Sequence, residues 1–300
     1  MSILVPNYYH KFKCIADRCR HSCCIGWEID IDDQALALYQ SFHDNLGEKL
    51  KNSISFEDGA HFILDSKERC PFLNQTGLCD IISQKGEAAL CQICADHPRF
   101  RNNFVHFEEL GLGLCCEEAA RLILTQKEAT QWVPLINNNQ LIIEKWEEEF
   151  ILKRNAIMKI LQDRALPYFK RKEIIFNDYS ISAKSFDEWR NLLLKAEKMA
   201  PDLDEYLKGL NVADILREQE WALPLEQLSA YFIYRHLFGA MDDNLFKERL
   251  EMALMFSETI CRIAKDRSGG FSTEKLIDTA RLFSSEIEYS DQNIELMLSK

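Results

Sequence analysis

The sequence predicts a mainly α protein in two parts. Residues 1–125 form a cysteine-rich, loop-rich, metal-binding N-terminal region with short helices, and residues 126–300 form an all-α helical bundle. Two observations carry this. Ten of the 11 cysteines lie between Cys14 and Cys116, among short, interrupted apolar runs, and only Cys261 lies outside. Beyond about residue 130 the apolar residues fall into helical periods, punctuated by Pro134, Pro167, Pro201 and Pro224.

In the first part, Leu36, Tyr39, Phe42, Leu46 and Leu50 are spaced by three and four and predict a helix from Asp32 to Leu50, with Asp32 placed to cap it. Ala60–Leu64 and Phe104–Leu114 read as short strands or hairpins. Glu117 and Glu118 open a helix through Ile123, with acids at its positive end. In the second part, Ile142–Leu161 carries the stripe Ile142, Ile143, Trp146, Phe150, Leu152, Ile157 and Leu161. Phe186–Met199, Leu225–Ala240, Leu245–Ala264 and Thr273–Ile287 repeat the pattern. Glu147, Glu148 and Glu149 read as the solvated side of their helix.

A hydrophobic content of 47% excludes wholesale disorder. The net charge of -12, from 48 acids against 36 bases, argues against a nucleic-acid partner and favours a lysine-bearing one. The N-terminus lacks a basic segment followed by an apolar run, and no apolar stretch reaches the roughly 18 residues of a membrane span. The expectation is a cytoplasmic protein with no membrane association. In that reducing compartment clustered thiols read as metal-binding or catalytic, with a disulfide scaffold as the competing reading.

The thiols follow the pattern Cys14-x4-Cys19-x3-Cys23-Cys24, then Cys70, Cys79, Cys91-x2-Cys94 and Cys115-Cys116. Thiolates select zinc, copper(I) or iron–sulfur groups over hard cations. Cys14, Cys19, Cys23, Cys24, Cys70, Cys79, Cys91 and Cys94 are the candidate metal ligands. Spacing alone separates zinc from iron–sulfur poorly, since only Cys91/Cys94 is a clean short pair. Adjacent cysteines point their side chains apart in most backbone conformations, so both members seldom serve one ion, and of Cys115-Cys116 one is expected to be a ligand and the other a buried apolar residue. Cys261 reads as core packing. No glycine-rich strand–loop–helix is present, Gly111-Leu112-Gly113 being too little.

Pro6 to Arg121 resembles the N-terminal part of the flagellin lysine-N-methylase family, which is related to a group of zinc- or iron-chelating domains. The resemblance runs through Phe12-x-Cys14, Cys19-x3-Cys23-Cys24-x-Gly26-Trp27 and Cys70-Pro71-Phe72-Leu73-Asn74. It continues through Leu78-Cys79, Leu90-Cys91-x2-Cys94-x2-His97-Pro98-Arg99 and Cys115-x-Glu117-Glu118-Ala119-Ala120-Arg121. A weaker echo is Glu286-Ile287-Glu288-Tyr289-Ser290-x2-Asn293. Cys116 stands where the family pattern has proline, and His97 where it has an aromatic residue. Family members often run longer than this chain.

The resemblance implies a lysine ε-amino methyltransferase acting on flagellin, with S-adenosylmethionine as donor and a [4Fe-4S] cluster. Methyl transfer needs a neutral amine, and lysine's ordinary pKa is about 10.4. Aromatic rings and a carboxylate near the cysteine motif would suit removal of that proton. Tyr8, Trp27 and Asp32 are the candidates, with Tyr9 and Glu28 beside them. Each has a structural reading too, Trp27 as core and Asp32 as a helix cap. Arg99 and Arg121 are candidates to hold a donor carboxylate bidentately, against the competing role of ordinary ion pairs. Two other classes stay open: a zinc-stabilised helical binding module without catalysis, and an iron–sulfur redox protein.

Overall fold

The computed structural model describes residues 2–136, 141–211, 216 and 219–299. The chain divides into two compact units. Unit one takes Met1–Phe12, Phe100–Cys115 and Ala119–Lys300, and unit two takes Lys13–Arg99 and Cys116–Glu118. The chain opens with strand β1 (Ser2–Pro6), which belongs to unit one.

Unit two carries α1 (Asp33–Gln40), α2 (Asn45–Asn52), the small ladder β2 (Ile54–Ser55) with β3 (His61–Phe62), α3 (Asp80–Lys85) and α4 (Gln92–Asp96). Ile29, Tyr39, Leu46, Leu50, Phe62 and Phe72 form its core, together with the buried Cys70 and Cys91. The single helix expected over Asp32–Leu50 is two helices. Asp44 caps the second by accepting the Gly47 N–H at 3.0 Å. At Gly47 the chain folds back so closely that a Cβ would lie 2.2 Å from the Phe42 carbonyl oxygen. Gly47→Ala is therefore expected to destabilise the protein by roughly 1–3 kcal/mol, read as a lower thermal midpoint.

Unit one contains a four-stranded sheet in the order β4 (Arg99–Asn103), β5 (Phe107–Leu112), β1, β6 (Trp132–Ile136). β1 runs parallel to β5, with Leu4 opposite Glu109, and antiparallel to β6, with Val5 opposite Val133. The second half of the chain is thus not wholly helical. β6 lies at the sheet edge, where Pro134 can stand without a backbone N–H to offer a further strand. Gly111 is a strand residue, and the Phe100 ring lies where its Cβ would stand, only 2.1 Å from that position. A buried ion pair ties sheet to helix: Arg154 grips both Glu109 carboxylate oxygens, and Asn102 donates to the same carboxylate at 3.2 Å.

The helices are α5 (Glu117–Thr125), α6 (Lys145–Leu161), α7 (Tyr168–Asp178), α8 (Phe186–Lys195), α9 (Asp202–Gly209), α10 (Ala222–His236), α11 (Ala240–Asp243), α12 (Phe246–Ser268), α13 (Thr273–Phe283) and α14 (Asp291–Leu298). A π-helical turn over Ser284–Glu288 follows α13. The centre of unit one is α12, buried on all sides from Leu250 to Ala264. Its charged residues there are partnered: Glu251 accepts from the Lys184 backbone N–H and Trp189 Nε1, and Glu258 pairs with Lys172 and Arg262.

The predicted stripe on α6 is partly wrong. Phe150, Ile157 and Leu161 are buried, but Ile142 and Ile143 precede the helix and, like Trp146 and Leu152, are exposed. Glu147, expected on the solvated side, is fully buried. It closes a capping box with Glu144 and accepts the Val105 N–H at 2.8 Å, so hydrogen bonds offset its burial. Among the described residues no helix is long and apolar enough to cross a membrane.

Candidate functional site

Unit two brings the thiols together through turns. The Cys70 N–H donates to the Cys24 carbonyl at 2.8 Å, locking the two segments side by side. Asn74 then reverses the chain, its Oδ1 accepting the N–H groups of Thr76 and Leu78 at 2.9 and 3.1 Å. This returns Cys79 to the start of α3, with Leu73 and Cys79 bridged. Cys91 stands at the start of α4, held by Asp32, which accepts from Ala35 N–H at 2.9 Å and from Gln92 N–H at 2.7 Å. Asp32 is therefore a double cap, and both its oxygens are committed to backbone. Asp32→Ala is expected to cost about 1–2 kcal/mol of stability and to loosen the Cys91–Cys94 turn, measured by denaturant unfolding.

The thiols form pairs around Cys24. Cys24 lies within electrostatic reach of Cys23, Cys70, Cys79 and Cys94. Cys23 in turn lies near Cys14 and Cys116. Contrary to the expectation for neighbours, Cys23 and Cys24 turn their sulfurs together and share a hydrogen bond. The physical reason is a tight bend: Ser22 Oγ accepts the Cys24 N–H, Trp27 Nε1 donates to the Cys23 carbonyl at 2.6 Å, and Gly26 adopts φ +89°.

The electrostatics follow from these pairs. The hydrogen bond from Cys23 lowers the Cys24 thiol to about 7, against opposing burial, while Cys23 holds the proton and is pushed far up. Cys91 is likewise lowered by its hydrogen bond with Cys94, which is raised. Burial raises Cys70 to about 12, although the N–H groups of Phe72 and Leu73 point at its sulfur. Cys79 is raised by burial, with the Ile81 and Ile82 N–H groups opposing. Such N–H···S bonds stabilise thiolate and are among the factors that tune sulfur-bound metal groups.

The donor set suits a soft, multi-sulfur centre. A single zinc needs its sulfurs about 2.3 Å from one point. Among the described residues no three Cys, His, Asp or Glu side chains are gathered closely enough to hold one ion. All of the cysteines are free thiols.

Other predicted residues are placed as follows. Cys14 is exposed and neighbours Cys23, whereas the Cys19 thiol points to the His21 carbonyl at 3.3 Å. Trp27 is half-buried against the unit-two core, its ring 6.2 Å from His97. Burial, and then Arg99, lower His97 to about 4, so it is a neutral ring at neutral pH. Arg99 belongs to unit two and donates to the Ala95 carbonyl. Tyr8 is buried in unit one, and Arg121 is exposed on α5 of the same unit. Tyr8 and Arg121 therefore do not belong to the thiol-bearing unit. Glu28 is exposed, and Tyr9 is half-buried in a 3-10 turn. Cys261 is fully buried in α12.

Cys115 and Cys116 part company. Cys116 belongs to unit two, beside Cys23, and Cys115 to unit one, where its sulfur lies 2.9 Å from the Tyr289 hydroxyl. Behind that pair is a network that residue patterns do not reveal. The Glu288 carboxylate, fully buried at the end of the π-helical turn, accepts from Tyr231 OH at 3.0 Å, Arg235 Nε at 2.8 Å and His236 Nε2 at 2.8 Å. Burial alone would raise its pKa, but Arg235 and the His236 ring hold it below the usual carboxylate range. The Arg235 guanidinium also faces the Phe100 and Tyr289 rings at 5.1 and 4.9 Å. The one sequence signal was the echo over Glu286–Asn293. There Glu286 accepts the Met199 N–H at 2.7 Å, and Asn293 bonds both the N–H and the carbonyl of Glu197. π-helical turns recur at functional sites.

A thiol-rich unit of short helices and a larger, mainly helical unit that holds a buried ionic network define a cysteine-rich, mainly α protein. The chain belongs to the family described as the FliB lysine N-methylase C-terminal domain, which matches residues 109–300. That match takes in the Cys115–Arg121 motif, the Glu286–Asn293 echo and every residue bonded to Glu288. The chain is 24% identical over 136 residues to a lysine-N-methylase of Salmonella typhimurium, covering 43% of this chain and 34% of that protein. A lysine-N-methylase of Salmonella choleraesuis is similar to the same degree. The flagellar biosynthetic protein FliU of Salmonella muenchen is 25% identical over 138 residues, 43% of this chain and 80% of that protein. The matches thus span about a third of the length of the two lysine-N-methylases. No solved structure matches.

Proposed function

We propose that this chain methylates lysine ε-amino groups of flagellin in the cytoplasm, with S-adenosylmethionine as donor and a [4Fe-4S] cluster held by the thiols of unit two. The observation that carries the reading is the set of paired thiols around Cys24, in a chain of this family. Relatives named as lysine-N-methylases and as a flagellar biosynthetic protein support the substrate class.

Cys24, Cys70, Cys79, Cys91 and Cys94 are the sulfurs from which the cluster's ligands, at most four, are drawn. They lie as pairs and neighbours around Cys24, and their thiolates are the soft donors that an iron–sulfur group requires. S-adenosylmethionine, when bound, supplies a methyl group on a sulfonium. The acceptor nitrogen must lose its proton first, since only its lone pair can form the new N–C bond while the S–C bond breaks. Trp27 offers an apolar wall beside the thiols, and Arg99 a cation for a donor carboxylate. The acidic chain, with a net charge of -12, favours encounter with lysine-bearing protein.

Anaerobic purification followed by iron, sulfide and zinc analysis tests the centre. Iron and acid-labile sulfide in equal amounts are expected. Zinc without iron, after attempted reconstitution, would point to the structural module, and a cluster without donor binding would point to a redox protein.

A further inference from the structure

A cavity of ≈590 Å³ opens in unit one where the link between α6 and α7 meets the first turns of α7 and α10. This volume is in the range of small-molecule pockets. Leu166, Phe169 and Leu223 contribute apolar wall, and Arg164, Arg171 and Glu226 form a polar end.

Glu226 is 1% exposed and Arg171 is 2% exposed. Arg164 reaches the carboxylate with Nη2 at 2.7 Å and Nε at 3.1 Å, and Arg171 with Nη1 at 2.7 Å. Arg164 also donates to the Lys127 carbonyl, and Arg171 to the Leu161 carbonyl. Arg171 Nε is buried without a hydrogen-bond partner.

Two guanidiniums thus share one carboxylate at the wall of a cavity. The start of α7 adds to the positive field. Its N-cap, Pro167, has no side chain to accept an N–H, and its first turn carries no acid. Asp163, on the same link, is turned to the Ala165 N–H at 3.1 Å.

We propose that this cavity binds a small organic anion with an apolar body, a medium-chain monocarboxylate being the simplest, with its carboxylate against the accessible Arg164 guanidinium and the buried charge of Arg171 behind it. The charge excess selects an anion over the cationic sulfonium of S-adenosylmethionine, so the proposal is independent of the methylase reading. Glu226 orients both guanidiniums and is itself too enclosed to serve as the ligand's partner.

Titration calorimetry on the full chain tests this with decanoate as the probe and 1-decanol as its uncharged counterpart. Decanoate should bind with a Kd on the order of micromolar, and decanol at least about tenfold more weakly. Arg164→Ala, which leaves Glu226 paired to Arg171, should weaken decanoate by about tenfold or more. Ala165→Trp, at an exposed position on the lining, should abolish binding by filling the mouth. Failure of decanoate to bind below millimolar, equal affinity for decanol, or unchanged affinity in both variants would overturn the proposal. So would displacement of decanoate by S-adenosylmethionine, which would make the cavity the donor site instead.

Discussion

Replacing Cys24 by serine is expected to remove the iron and sulfide of the anaerobically purified protein and to lower methyl transfer by more than about 100-fold. Cys24 has this weight because it neighbours Cys23, Cys70, Cys79 and Cys94 at once. Serine keeps the size and the backbone bonds of the bend but gives up the sulfur and its low pKa, about 7 in this setting. Cys261→Ala is the matched control. Its thiol is fully buried in α12 of the other unit, so that variant should keep its iron while losing about 1 kcal/mol of stability. Iron and sulfide analysis of the two variants separates a ligand role from a general sensitivity to cysteine loss.

Glu288→Ala is expected to destabilise unit one by roughly 3–5 kcal/mol, because it leaves the buried Arg235 guanidinium without its carboxylate. Denaturant unfolding measures the loss. The double variant Glu288→Leu with Arg235→Met should recover most of it, since replacing a whole buried pair costs far less than orphaning one member. The pH dependence has a definite sign. Glu288 titrates below its unfolded value of about 4.3, so its contribution is complete above that value and is lost as pH falls through the lower folded one. Glu288→Gln should flatten the acid limb of the stability profile, and an unchanged limb would assign the acid sensitivity to other carboxylates.

Much of the helical architecture was legible because apolar spacing is a local signal. α8, α10, α12 and α13 fall within a few residues of the predicted helices. One strand was legible, β5 falling inside the predicted Phe104–Leu114 segment, but the sheet that it joins was not. β1 is five residues long, and its partners start at Phe107 and Trp132, so its pairing depends on contacts about a hundred residues apart that no local period encodes. Glu147 was misread for a related reason: a burial offset by hydrogen bonds to Glu144 and Val105 looks, in sequence, like any acidic helix face.

At the site, thiol identity and spacing were readable, but their assembly was not. The turns at Gly26 and Asn74 and the double cap by Asp32 decide which sulfurs meet, and they make Cys23 and Cys24 partners where adjacency suggested otherwise. The Glu288 network gathers Tyr231, Arg235 and His236 across more than fifty residues, and only the short Glu286–Asn293 motif hinted at it.

The central claim is lysine methylation by a cluster-bearing chain. Its most direct test is mass spectrometry of flagellin after incubation with anaerobically purified protein and methyl-labelled S-adenosylmethionine. Labelled methyl-lysine that disappears with the Cys24→Ser variant is the predicted result. Unmodified lysines after incubation with iron-loaded, donor-supplied protein would contradict the claim.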